Sequence, residues 1–204
     1  MAAGWIRKSF SSDGVTEYPV GPQFQRLRSW FGSVVILALD VSQSMQGSRL
    51  SQAVKGCQRF INEAVEAGYS VGLILWHHDV AANVPPETDP KAARNLLKRA
   101  ADSSGGTNVL ACLDLAHRQL MATEAGDRVL AIFGDGDLGN RQAAETKAAA
   151  LIRDDIRILT CGLGESSAQE LASISTEKAV PRTATSENLA DSIASMAQGL
   201  IRKG

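Results

Sequence analysis

Two apolar runs constrain this chain more than anything else in it. Val34 to Leu39 has no polar position, and Arg128 to Phe133 has none after its first residue. A strand with one wet face alternates apolar and polar residues, whereas one apolar throughout is covered on both faces, as in parallel sheets between helical layers. Each run also ends on an acid: Asp40 follows the first, and Gly134-Asp135-Gly136 follows the second.

The segments between these runs fit helices of a layered fold. Leu50, Ala53, Val54, Cys57, Phe60, Ile61, Ala64 and Val65 recur at three- and four-residue intervals behind Ser48, a residue suited to an N-cap. Ser70 to Trp76 reads as a second strand, and Val80 to Val84 as a short edge strand ended by Pro85 and Pro86. Asp89-Pro90 opens a helix to Ala101, and a further helix carries Leu110, Leu113, Ala116 and Leu120. Two similar units follow: a helix over Arg141 to Arg153 with a strand over Ile156 to Cys161, then a helix in which Ser167 and Glu170 form a capping box. A weak strand near Lys178 to Pro181 and a helix from Glu187 to Ile201 close the chain. The alternation predicts a doubly wound α/β fold: a mainly parallel sheet, one short antiparallel edge strand and helices on both faces. Residues 1–33 lack this periodicity and read as an N-terminal arm, with Phe24, Leu27, Trp30 and Phe31 as one short apolar face. The domain proper is expected over 34–204.

Composition removes several classes of function. The net charge of −1, with the two signs interspersed, offers no basic field for nucleic acid. No stretch approaches the roughly 20 apolar residues of a membrane span. The first thirteen residues lack the apolar run of a secretory signal, so a cytoplasmic location is expected. Cys57, Cys112 and Cys161 fall in regular elements and read as small buried thiols of a reducing compartment.

The chemistry concentrates at strand ends. In open α/β sheets, ligands bind outside the carboxyl ends of the strands, where strand order reverses. Asp40, Ser42 and Ser44 place three oxygen side chains on one loop, Thr107 follows the Gly105-Gly106 turn, and Asp135 closes the second apolar run. These are hard oxygen donors without a Cys or His cluster, which suits Mg2+, with Mn2+ as an alternative, and argues against zinc or copper. A cation is also an economical way to keep two facing carboxylates ionised.

At this point the chain resembles a known family. Val34 to Met45 with Asp40-Val41-Ser42-Gln43-Ser44, Thr107 after Gly105-Gly106, and Asp135-Gly136 after a strand are similar to the von Willebrand factor type A (VWA) domain, a Rossmann-like fold, and its metal ion-dependent adhesion site. The resemblance runs from about Val34 to Ile201. It implies that Ser42 and Ser44 bind the metal directly, Thr107 directly or through water, and Asp40 and Asp135 mostly through water. Gly134 departs from the pattern, since the family usually has Thr or Ser before the acid.

The function so implied is a metal-dependent protein-protein interaction module, not an enzyme, whose partner offers an Asp or Glu to the cation. An adaptor or subunit role in an intracellular assembly, ATPase-containing ones included, comes with the resemblance, and no nucleic acid or membrane partner is expected. Trp76, His77, His78 and Asp137 are candidates for the partner-binding rim, although the histidines also suit an exposed hairpin turn and Asp137 a helix cap. The alternative is a Mg2+-dependent phosphohydrolase attacking with Asp40. Phosphatases of that kind carry a second Asp two residues on, where this chain has Ser42, and no Lys or Arg adjoins the Asp40 loop.

Overall fold

The computed structural model describes residues 32–100, 106–177 and 180–200. Six strands, β1 (Ser33–Asp40), β2 (Tyr69–Trp76), β3 (Val80–Glu87), β4 (Asp127–Gly134), β5 (Ile156–Leu163) and β6 (Arg182–Ala184), form one sheet. Their spatial order is β3-β2-β1-β4-β5-β6. All neighbours are parallel except β2 and β3, which pair antiparallel. The expected fold is therefore the observed one. Of the arm expected over residues 1–33, only Gly32 and Ser33 lie among the described residues, and Ser33 already belongs to β1.

The pleat divides β1 between two cores. Val35, Leu37 and Leu39 pack against α1 (Ser48–Glu66), α2 (Lys91–Lys98) and α6 (Leu189–Ser195). Val34, Ile36 and Ala38 pack against α3 (Leu110–Met121), α4 (Arg141–Arg153) and α5 (Glu165–Ala172). Successive side chains of a strand point to opposite faces, so an unbroken apolar run is what two cores demand. The chain passes from β1 to β2 on one side and returns to β4 on the other, which puts the reversal of strand order at the carboxyl ends of β1 and β4.

Several local expectations are corrected. Pro85 and Pro86 do not end β3, which continues to Glu87, because an edge strand tolerates residues without an N–H. Gly47, not Ser48, is the N-cap of α1. The helix expected from Asp89-Pro90 runs only over Lys91–Lys98. Ser167 does not cap α5: the helix starts at Glu165 behind Gly164, and Glu170 pairs instead with Arg141. The last strand lies at Arg182–Ala184, beyond the expected segment, whose residues 178–179 are outside the described ones. The closing helix is short, Leu189–Ser195, and tightens into a 3-10 turn over Met196–Leu200.

That closing segment is held at both ends. A Cβ on Gly56 of α1 would stand 2.8 Å from both the Ala190 carbonyl oxygen and Ile193 Cβ, so α1 and α6 approach to backbone distance there. At the amino end of the sheet, Arg157 pairs with Asp127 (2.7 Å) and donates to the carbonyls of Gly199 (2.7 Å) and Leu200 (3.1 Å). The Tyr69 hydroxyl lies between the Asp127 carboxylate and the Leu200 carbonyl. Gly56→Val is therefore expected to lower stability by about 1–3 kcal/mol through overpacking. Urea unfolding followed by circular dichroism measures this, and an unchanged midpoint would mean that α6 is free to shift.

Candidate metal centre

The loop after β1 is a local consequence of where the strand stops. Val41 still donates its N–H to the Trp76 carbonyl (2.8 Å), and the chain then turns through a 3-10 turn at Gln43–Met45. Asp40 Oδ1 accepts the Ser42 N–H at 2.8 Å, an Asx-type turn that folds the two serines back over the carboxylate. The Ser42 and Ser44 hydroxyls lie 3.0 Å apart, and the Ser44 hydroxyl donates to Asp135 Oδ2. Across the β1–β4 boundary, the Asp135 N–H approaches Asp40 Oδ2 at 3.4 Å. Four of the five expected metal residues thus form one hydrogen-bonded cluster.

Thr107, the fifth, shares no hydrogen bond with these four among the described residues. Its loop is nonetheless tied to the same sheet end: Asn108 donates its N–H to the His77 carbonyl (3.0 Å), and a Cβ on Gly139 would stand 3.1 Å from the Thr107 carbonyl.

The electrostatics of the cluster are governed first by burial. Asp40, at the end of the first apolar run, is fully buried. Its pKa is pushed from an ordinary 3.8 up to about 7, chiefly by burial; the Ser42 hydrogen bonds oppose this and the charge of Asp135 adds to it. The repulsion between the acids is thus the smaller cause. Asp135 Oδ1 is buried without a hydrogen-bond partner among the described residues, although Oδ2 is engaged. Buried carboxylate oxygens are rarely left so. No group of three or more His, Cys, Asp or Glu suited to a metal occurs among the described residues. The donor set is instead two carboxylates and two hydroxyls, with Thr107 adjacent, which fits a hard divalent cation.

The rim candidates separate. His77 is half-buried, His78 is exposed, and their rings stack at 4.2 Å. The His77 pKa is lowered by burial first and by His78 second, against Asp79. Asp137 is exposed and accepts the Gly139 N–H at 2.8 Å, while Asn140 caps α4. Trp76 is corrected: it is fully buried in the α3/α4 core and presents nothing to a partner. It does explain Gly134. A Cβ there would meet Asp40 Oδ2 at 3.1 Å and both Asp40 Cβ and Trp76 Cζ2 at 3.2 Å, so a Thr or Ser side chain would crowd the acid and the indole together.

One contributor was not legible in the sequence. Ser167, from the first turn of α5, donates its hydroxyl to the Asp135 carbonyl and so holds the acidic loop from the side opposite Asp40. Nothing local marks it, since it lies 32 residues from its partner.

Comparison with known proteins identifies the family and the fold. The family model of the von Willebrand factor type A domain matches residues 35–137, which include all five expected metal residues. Human calcium-activated chloride channel regulator 1 is 33% identical over 171 aligned residues, covering 79% of this chain and 18% of that protein. The chain thus spans less than a fifth of that relative. Among solved structures, the vWF domain of the type V pili tip protein Mfa5 from Porphyromonas gingivalis superposes with a TM-score of 0.73 at 16% identity, covering 85% of this chain and 97% of that one. BatB from Bacteroides thetaiotaomicron gives 0.62 at 22% identity (82% and 100% covered). The pilus adhesin SpaC from Lactobacillus rhamnosus GG gives 0.68 at 13% (83% and 29%). At such identities these structures establish the fold alone.

Because the folded protein holds the Asp40 proton more tightly than the unfolded chain, metal-free stability should fall as pH rises between the ordinary pKa of 3.8 and about 7. Asp40→Asn is expected to flatten that dependence and to raise the melting temperature at about pH 8. Thermal scans in chelator across this range check it; a mutant whose pH profile matched the parent's would show that Asp40 is not the responsible group.

Proposed function

From the premise that the chain belongs to the von Willebrand factor type A domain family, we propose that its site binds one divalent cation, Mg2+ or Mn2+, and through it a carboxylate of a protein partner. The observation that carries this reading is Asp135 Oδ1, a buried carboxylate oxygen without a partner among the described residues, inside an oxygen cluster whose other acid is pushed toward neutrality chiefly by burial.

The residues divide the work by position. Ser42 and Ser44 present hydroxyls that are already turned toward Asp135 and held by the Asp40 turn. Asp40 is fully buried and is suited to orient the Ser42 loop and to balance charge from beneath, rather than to meet a partner. Thr107 would complete the donor set from the loop held by His77 and Gly139. A bound cation supplies an open coordination position that an Asp or Glu of the partner fills. His77, His78 and Asp137 flank this position as the proposed contact rim.

The phosphohydrolase alternative has less support: Asp40 is buried with one oxygen accepting the Ser42 N–H, and the second Asp that such phosphatases carry two residues on is Ser42 here. Three unpaired, buried thiols suit the reducing cytoplasm expected from the sequence. The proposed setting is accordingly a cytoplasmic adaptor or subunit of a larger assembly, ATPase-containing ones included.

Calorimetric titration should give a saturable heat with Mg2+ or Mn2+, weakened at least about tenfold by Ser44→Ala and lost in Asp135→Ala, with both variants folded by circular dichroism. Partner capture from a lysate should disappear in chelator. Absence of any heat at millimolar cation, or capture indifferent to chelator and to Asp135→Ala, would remove the reading.

A further inference from the structure

The backbone of Asp135 is gripped on both sides. Its N–H approaches Asp40 Oδ2 at 3.4 Å, and its carbonyl accepts the hydroxyl of Ser167, the third residue of α5. The next residue, Gly136, has a φ of +93°, and a Cβ on it would run into Ser167 Cα and stand 2.6 Å from Ser167 Cβ. The loop backbone therefore lies directly against Ser167, closer than a side chain at position 136 would permit.

Ser167 is itself fixed to the sheet. A Cβ on Gly162 of β5 would run into the peptide between Ser167 and Ala168 and stand 2.5 Å from Ala168 Cα, so the first turn of α5 rests on the strand backbone. Leu171, one turn on from Ser167, is fully buried in the core beneath. Gly162 in turn is level with Gly134, the residue before Asp135, in the ladder between β4 and β5. The contacts close a circuit: β4 leads to Asp135, the Asp135 carbonyl to Ser167, Ser167 to Gly162, and the ladder back to β4. Because the strands run in the order β1-β4-β5, any retreat of Asp135 from Asp40 carries its loop toward Ser167, where no space is left.

That constraint bears on the size of the cation. Mg2+ takes oxygens at about 2.0–2.1 Å in a near-octahedral set, whereas Ca2+ takes six to eight at about 2.3–2.6 Å and needs donors that yield. Admitting the larger ion between the two acids requires them to part. We infer that Ser167 is a positioning residue of the proposed centre and makes it select Mg2+ against Ca2+; the inference rests on the reading of that centre given above. Ser167 does this through the Asp135 backbone, which its hydroxyl holds, and not as a ligand.

Separate calorimetric titrations of the full chain with Mg2+ and with Ca2+ test this, alongside melting temperatures in chelator. The parent should bind Mg2+ more tightly than Ca2+. Ser167→Ala should weaken Mg2+ about tenfold or more while Ca2+ stays within about a factor of three, since a loosened loop still suits the more tolerant ion. Ser167→Cys fills the same position with a weak donor and should show the same loss of selectivity. Equal weakening of both cations, with a lower melting temperature in chelator, would make Ser167 a structural prop only and overturn the inference. So would a Ser167→Cys variant that keeps the parent's preference, because packing and not the hydroxyl would then be responsible. A parent that binds the two ions equally well would overturn the selectivity and leave the metal reading standing. A parent that takes up neither ion would remove the centre itself, and the inference with it.

Discussion

The structure turns on one unfavourable placement, a carboxylate buried at the end of the central strand within reach of a second one. Asp40 is fully buried, its pKa is pushed to about 7, and its neighbour Asp135 keeps an oxygen without a partner among the described residues. A fold optimised for stability alone would not put two acids there, because burying charge without compensation costs free energy. Such a cost persists where the surrounding structure over-determines it. Here that structure is the parallel ladder on both sides of β1, which fixes Asp40 beside Trp76 and level with Gly134.

The rest of the molecule supplies the rigidity this requires. Two cores, one on each face of the sheet, leave β1 no freedom to slide, since a one-residue slip would exchange every side chain between them. At the opposite end of the sheet, Arg157 and Tyr69, both bound by Asp127, donate to the last described carbonyls, and Gly56 lets α6 lock into α1. The closing segment is correspondingly tied down: seven helical residues meet α1 at Gly56 and run into a 3-10 turn whose last carbonyls are bound by Arg157 and Tyr69.

The centre also departs from its family in a way that the packing explains. Gly134 stands where a hydroxyl residue is usual, and the space a side chain would need there is bounded by Asp40 of the adjacent β1 and by the Trp76 indole from β2 beyond it. The acidic loop then gains support from the other side, through the hydroxyl of Ser167 on the Asp135 carbonyl. Loss of one local prop and gain of a distant one leave the Asp135 carboxylate beside the Ser42 and Ser44 hydroxyls.

How much of this was legible follows from the range of the interactions involved. Strand-helix alternation, the two-faced burial of β1 and β4, and the oxygen set of Asp40, Ser42, Ser44, Thr107 and Asp135 are written in neighbouring residues, because periodicity and turn chemistry are local. Element ends were less legible: the prolines of β3 read as a stop until the strand proved to be an edge, and Ser167 read as a cap until α5 proved to begin earlier. Trp76 read as a rim residue because its neighbours His77 and His78 are at the surface, yet the pleat turns it into the core. Local sequence suffices for the central strands and for the atoms that could hold a cation, but not for the edges, where the last strand falls beyond the expected segment and β3 runs past its prolines. Only the tertiary structure decided which of those atoms meet, how deeply Asp40 is buried, and what fills the space at Gly134, since strand order and cross-strand packing join residues far apart in the chain and leave no local trace.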